Sequence, residues 1–167
     1  MDTIAKASGV SHGAIFVHFN SKENLVEKII AQFFDKWMVT LQQTNIEDLD
    51  FEYLYDWYFD FVEKEYRGFV MLVREINDLP PKLRESIWDK EQQIRTLMQQ
   101  AYEHGVKAGK YRKIDSKMLD VMLFGAIHQF LRFPKLFDPD GRALLNRRQS
   151  LKKAIFTLLE KQGSDPR

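Results

Sequence analysis

Four histidines are the side chains of this sequence best suited to acid–base or metal chemistry: His12, His18, His104 and His128. His12 and His18 are six residues apart, a poor helical spacing for gripping one metal ion. His104 stands beside Glu103 near a helix end, where the helix dipole favours a cation. His128 lies within an apolar run, either as a core histidine with one hydrogen bond or as a polar group in a ligand pocket. The sequence holds no H-E-x-x-H, no glycine-rich phosphate loop, no nucleophile elbow and no cysteine. An enzyme, a metal and a cofactor are therefore not expected. The residues that do point to a task are small and polar. In Ser11-His12-Gly13-Ala14 a capping serine can open a helix, and small side chains let that helix approach another backbone closely. A helix presented in this way can enter a DNA major groove.

The flanking residues supply the frame. Ile4, Ala5 and Ala7 give a preceding helix a small apolar face, Gly9 can end it in a left-handed conformation, and Val10 plugs the turn. Ser21 caps a third helix. The spacing predicts a helix-turn-helix.

These residues resemble the DNA-binding region of the TetR family of bacterial repressors. Ile4-Ala5, Ala7, Gly9-Val10-Ser11, Gly13, Ile15, His18-Phe19, Ser21-Lys22-Glu23 and Leu25 carry the likeness. By that resemblance the positions facing DNA are Thr3, Ser11, His12, Gly13, Ala14, Phe16, Val17, His18 and Lys22. Ala14 and Phe16 stand where the family commonly has a hydroxyl residue and a tyrosine, so two phosphate contacts are expected to be missing. The family has a further amphipathic helix before the point where Met1 stands. The expectation is thus a head lacking its first helix, with weak DNA binding by residues 1–167 alone.

Composition neither drives nor forbids that reading. The net charge is +1, so DNA contact must come from a local surface rather than a global field. Lys6, Lys22 and Lys28 are offset by Asp2, Glu23 and Glu27. No apolar run reaches the ~18–20 residues a bilayer span requires, and the start lacks the apolar core of a signal peptide. Together with the absence of cysteine, this gives the expectation of a cytoplasmic protein without membrane partners.

Helix periodicity dominates the remainder. A long helix opens at Ser21 and runs through Leu25, Ile29, Phe33 and Trp37. A second is predicted from about Leu49 to Tyr66, with Glu52, Asp56, Asp60 and Glu63 on one side and aromatics on the other. Gly68 is read as a bend, and Pro80-Pro81 as a break. A long helix from Lys82 ends near Gly105 and Gly109. Asp115 caps a helix to Phe133 that is apolar nearly all round, and an amphipathic helix spans Leu144 to Lys161.

The fold class is all-α: a helix-turn-helix head with connecting helix over residues 1–43, and a ligand-binding and dimerisation bundle over residues 44–167. The aromatic surplus predicts a mostly apolar pocket, with Trp57, Tyr58, Phe61, Trp88, Met98, Tyr102, Phe124 and His128 as its candidates. The resemblance implies a homodimer through the last two helices, with Phe124 and Leu158 as candidates for the joint. It implies a palindromic double-stranded operator and release by a small, mostly apolar inducer. The competing expectation is a helical dimer that binds a small molecule or protein and not DNA.

Overall fold

In the computed structural model, residues 6, 9, 11–42 and 50–161 are described. Eight α-helices lie among them: α1 (His12–His18), α2 (Lys22–Gln42), α3 (Phe51–Lys64), α4 (Tyr66–Glu75), α5 (Pro81–Lys107), α6 (Ser116–Arg132), α7 (Pro134–Phe137) and α8 (Ala143–Leu159). A 3₁₀ turn, Ile76–Asp78, follows α4. No strand occurs among the described residues.

Most helix ends follow from local chemistry. The Ser11 and Ser21 hydroxyls accept hydrogen bonds from the backbone N–H groups of Ala14 (3.1 Å) and Asn24 (3.0 Å), and Asp115 accepts from Lys117. Each satisfies a donor that a helix start leaves without a partner. Pro81 opens α5, where its missing N–H costs nothing. The end of α5 is a Schellman turn. Lys110 N–H donates to Gly105 O and Gly109 N–H to Val106 O, with Gly109 at φ +78°.

Most predicted helix ends lie within two residues of the observed ones, and two differences around α3 and α4 have a local cause. The predicted Leu49 start moves to Phe51. Asp50 sits at the N-cap position, but its carboxylate is taken by Lys110 Nζ at 2.7 Å and the Tyr111 hydroxyl at 3.0 Å. The bend assigned to Gly68 falls at Glu65 instead, between α3 and α4. Gly68 lies within α4 and serves close packing: a Cβ there would come 3.2 Å from the Phe33 ring of α2.

The core is aromatic. Phe51, Tyr55, Tyr58 and Phe59 of α3 are buried against Tyr102, Tyr111, Phe124 and Phe156. Edge-on pairs such as Phe51–Tyr102 (5.9 Å) and Tyr58–Phe124 (5.4 Å) recur, a geometry that suits the ring quadrupoles. The acidic row of α3 is matched by α8: Arg148 reaches Asp60 at 2.5 Å, and Lys152 reaches Asp56 at 2.6 Å and Glu52 at 3.0 Å. Helix α2 docks on this body through Phe33, whose ring packs against Phe61 (5.5 Å) and Phe69 (5.0 Å).

Candidate DNA-contacting helix and ligand cavity

Helix α1 presents an open face. Ser11, Gly13, Val17 and His18 are exposed, Val17 at 80%. A Cβ at Gly13 would meet no atom within 4 Å. Gly9 takes φ +67°, the left-handed turn that its place in the sequence calls for. Behind α1, Lys28 Nζ donates to His18 O at 3.4 Å and lies 5.2 Å from the centre of the Phe19 ring. These contacts tie the end of α1 to α2. The side chains of His12, Phe16 and Lys22, and all of Thr3, lie outside the described residues.

Within the body, five helices enclose a cavity of about 250 Å³. Phe34 of α2, Tyr58 of α3, Phe69, Leu72 and Val73 of α4, and Ile87 of α5 give it an apolar lining. Trp88, Glu91, His128, Gln129 and Arg132 supply its more polar side. His128 Nε2 stands 2.8 Å from Glu91 Oε1. Arg95 donates to the same Glu91 oxygen at 2.9 Å and to Asp120 at 2.5 Å, with its guanidinium 4.2 Å from the centre of the Phe124 ring. Burial alone would raise the Glu91 carboxyl. The His128 hydrogen bond and the charges of His128 and Arg95 outweigh burial and hold it below the usual carboxylate value. Burial pushes the Tyr58 hydroxyl upward, so the phenol stays neutral. The cavity is thus an apolar chamber with a polar row on one side, a lining of the kind that can hold and orient a small organic molecule.

Residues 51–146 match the family model described as tetracyclin repressor-like, C-terminal domain. Residues 1–29 match that of the bacterial regulatory proteins of the tetR family. The chain belongs to the TetR family. It is a DNA-binding transcriptional regulator. Among solved structures, this TetR-family chain is similar to the TetR family transcriptional regulator PfmR from Thermus thermophilus. The two are 21% identical, the match covers 94% of this chain and 87% of that one, and the TM-score is 0.71. It is also similar to the transcriptional regulator FadR from Bacillus subtilis in complex with stearoyl-CoA, at 16% identity, 95% and 88% coverage and a TM-score of 0.65. At these identities the likeness establishes the fold. No curated protein matches the chain.

The fold of this TetR-family chain separates the aromatic residues singled out from the sequence. Tyr58, Trp88 and His128 line the 250 Å³ cavity. Met98, Tyr102 and Phe124 do not; they surround a separate void of about 20 Å³. The Tyr102 hydroxyl is used structurally, accepting from Ile114 N–H at 2.7 Å and donating to Arg112 O at 3.1 Å. Trp57 and Phe61 stack on each other with centroids 6.5 Å apart and line neither space. Phe124 is also 1% exposed within one chain, so it belongs to the monomer core and not to a joint between copies. Sequence reasoning missed Phe34, Phe69, Leu72, Val73, Glu91 and Arg132 as lining residues. Glu91 carried a signal: it is an acid at helical spacing from Ile87, Trp88 and Ile94, on the side of α5 where His128 Nε2 meets it at 2.8 Å.

Proposed function

We propose that the protein is a ligand-responsive repressor, a dimer that holds a palindromic operator and releases it when a small, mostly apolar inducer fills the body cavity. The observation that carries this reading is the position of Phe34. It sits on α2, the helix that runs from the head into the body, and it is at once 2% exposed and part of the cavity wall. A ligand that displaces the Phe34 ring must move α2 or be refused. Movement of α2 carries α1 with it through the Lys28–His18 contact. The shift needs only a difference in ligand affinity between two head spacings, typically ~1–3 kcal/mol of coupling.

The apolar lining with a polar row at Glu91, His128 and Arg132 suits a ligand with an apolar chain and a polar end. That the fold relative FadR is described in complex with stearoyl-CoA supports a ligand of this kind. On the DNA side, Ser11, Gly13, Val17 and His18 present an exposed row for base edges, with Ala14 beside it and Thr3, His12, Phe16 and Lys22 assigned by resemblance. Lys22 opens α2, where charge and helix dipole both favour phosphate. The division into a head with connecting helix over residues 1–43 and a ligand-binding, dimerising body over residues 44–167 follows the same reading. Pairing through α6 and α8 is supported by Met118 and Val121, exposed on α6 at 55% and 61%.

Selection of randomised duplexes with the full protein tests the proposal. An inverted repeat with half-sites about one DNA turn apart is expected, and decanoate should release it. Lys22→Ala should weaken binding to all sequences and lower the slope of log affinity against log salt by about 0.9. His12 or Val17 variants should change base preference instead. No enriched sequence would favour a dimer that binds ligand and not DNA.

A further inference from the structure

Two arginines at the cavity carry charges that no acid answers. Elsewhere in the body arginines pair: Arg95 meets Glu91 and Asp120, and Arg148 meets Asp56, Asp60 and Glu63. Arg84 and Arg132 have no ion pair among the described residues. Asn77, Trp88, Gly125, Gln129 and Arg132 are exposed members of the cavity lining and mark its mouth. Phe34, Tyr58, Phe69 and Ile87 of the same lining are buried. Arg84 reaches the mouth from α5. Its guanidinium lies 5.4 Å from the centre of the Trp88 ring, and its Nη1 donates to Asn77 O at 3.4 Å, long for a hydrogen bond. Its Nε–H is buried with no acceptor among the described residues. Arg148 Nε also lacks one, but acids answer the charge of that side chain. Arg132 closes α6, where the helix dipole favours a cation. Arg84 stands in the first turn of α5, where the dipole disfavours a cation and favours an anion. Glu91, the one acid among the described lining residues, is already held by His128 and Arg95.

We propose that Arg84 and Arg132 form a head-group subsite at the cavity mouth, and that the polar end of the ligand is an oxyanion, a carboxylate or a phosphate. This rests on the ligand-binding cavity proposed above and adds the charge of what it takes. A guanidinium presents a planar fork of N–H donors that matches such an anion, and hydrogen bonds between charged partners are about twice as strong as neutral ones. Only the long contact to Asn77 O and the Trp88 ring hold Arg84 among the described residues, so its fork can turn to a ligand. A neutral amphiphile of the same length buries the same chain against Phe34, Phe69 and Ile87 but leaves both guanidinium groups unanswered. The chamber therefore selects for an apolar chain, and the mouth for negative charge.

Calorimetry with decanoate, decyl phosphate and decanol at neutral pH tests the subsite. The wild-type protein should bind the tighter of the two anions about tenfold or more better than decanol, and which anion that is names the head group. Arg84→Gln and Arg132→Gln should each reduce this anion-to-alcohol ratio by about fivefold or more. Arg132 is exposed, so its variant carries the test if Arg84→Gln does not fold. Lys135→Gln removes an exposed cation that lines a separate groove, and should leave the ratio as in the wild type. Equal affinity of the wild type for anions and decanol would overturn the subsite and leave the ligand cavity standing. So would an unchanged ratio in the folded arginine variants, or an equal drop in Lys135→Gln, which marks a diffuse field. Binding of none of the three compounds would overturn the ligand-binding reading itself, and the subsite with it.

Discussion

The head and the body solve opposite problems. Helix α1 exposes its small and polar residues, and a Cβ added at Gly13 would touch nothing. The body interlocks rings from α3, α5, α8 and the α5–α6 connection so closely that a Cβ added at Gly105 would come 2.5 Å from the Tyr111 ring. On the proposed function, a surface that meets DNA is left open, and the scaffold around the cavity is filled. The contrast separates residues kept for recognition from residues kept for packing, even where the residue type is the same.

Truncating an apolar side chain in each region should break that symmetry most visibly. Phe51→Ala removes a ring that is 1% exposed and packs on Tyr102, Tyr111 and Phe156. It should cost about 3–5 kcal/mol in urea unfolding. Val17→Ala, at an exposed site, should stay within about 0.5 kcal/mol while altering DNA preference. The glycines give the next largest difference. Gly105→Ala should destabilise by about 1–3 kcal/mol, because Tyr111 is 5% exposed and hemmed in by Phe51 and Phe156. Gly13→Ala should raise thermal stability slightly, by up to ~1 kcal/mol of helix propensity, and its cost should appear only in DNA affinity.

A smaller effect distinguishes the polar row from the packed core. The Glu91 carboxyl lies below its ordinary value when folded, because His128 and Arg95 outweigh burial. Its contribution to stability is therefore present above the ordinary carboxylate range and lost as pH falls through the depressed folded value. Glu91→Gln should flatten the acid limb of a stability–pH curve measured by urea unfolding. Some slope should remain, since Asp50 is also held low, by Lys110 and Tyr111 against the opposing effect of burial.

The same contrast explains what was legible in the sequence. Caps at Ser11, Ser21 and Asp115, the Pro81 start and the Gly109 stop are local chemistry, and each appears where the residues call for it. The head could be read because its function depends on short spacing. The cavity could not. Periodicity shows that Tyr58, Met98, Tyr102 and Phe124 face inward but not whether rings or empty space lie opposite. That depends on how α2 and α4 cross the other helices. Gly68 shows the same limit: its spacing resembles a bend, and only the approach of Phe33 shows it to be a packing glycine. Phe34 reads from sequence as one more member of the α2 stripe, and the crossing with α4 and α5 makes it a cavity wall.

The central claim is that cavity occupancy reaches the head through Phe34. The direct measurement is release of the selected duplex by decanoate, followed by fluorescence anisotropy for the wild-type protein and for Phe34→Leu. Leucine keeps an apolar side chain on α2 but gives up the ring that walls the cavity. Phe34→Leu should bind the duplex within about threefold of wild type and still bind decanoate in calorimetry. The decanoate-induced loss of DNA affinity should shrink from the range of about 5–150-fold typical of such coupling to near unity. Full release by decanoate in a Phe34→Leu protein with unchanged ligand affinity would contradict the account.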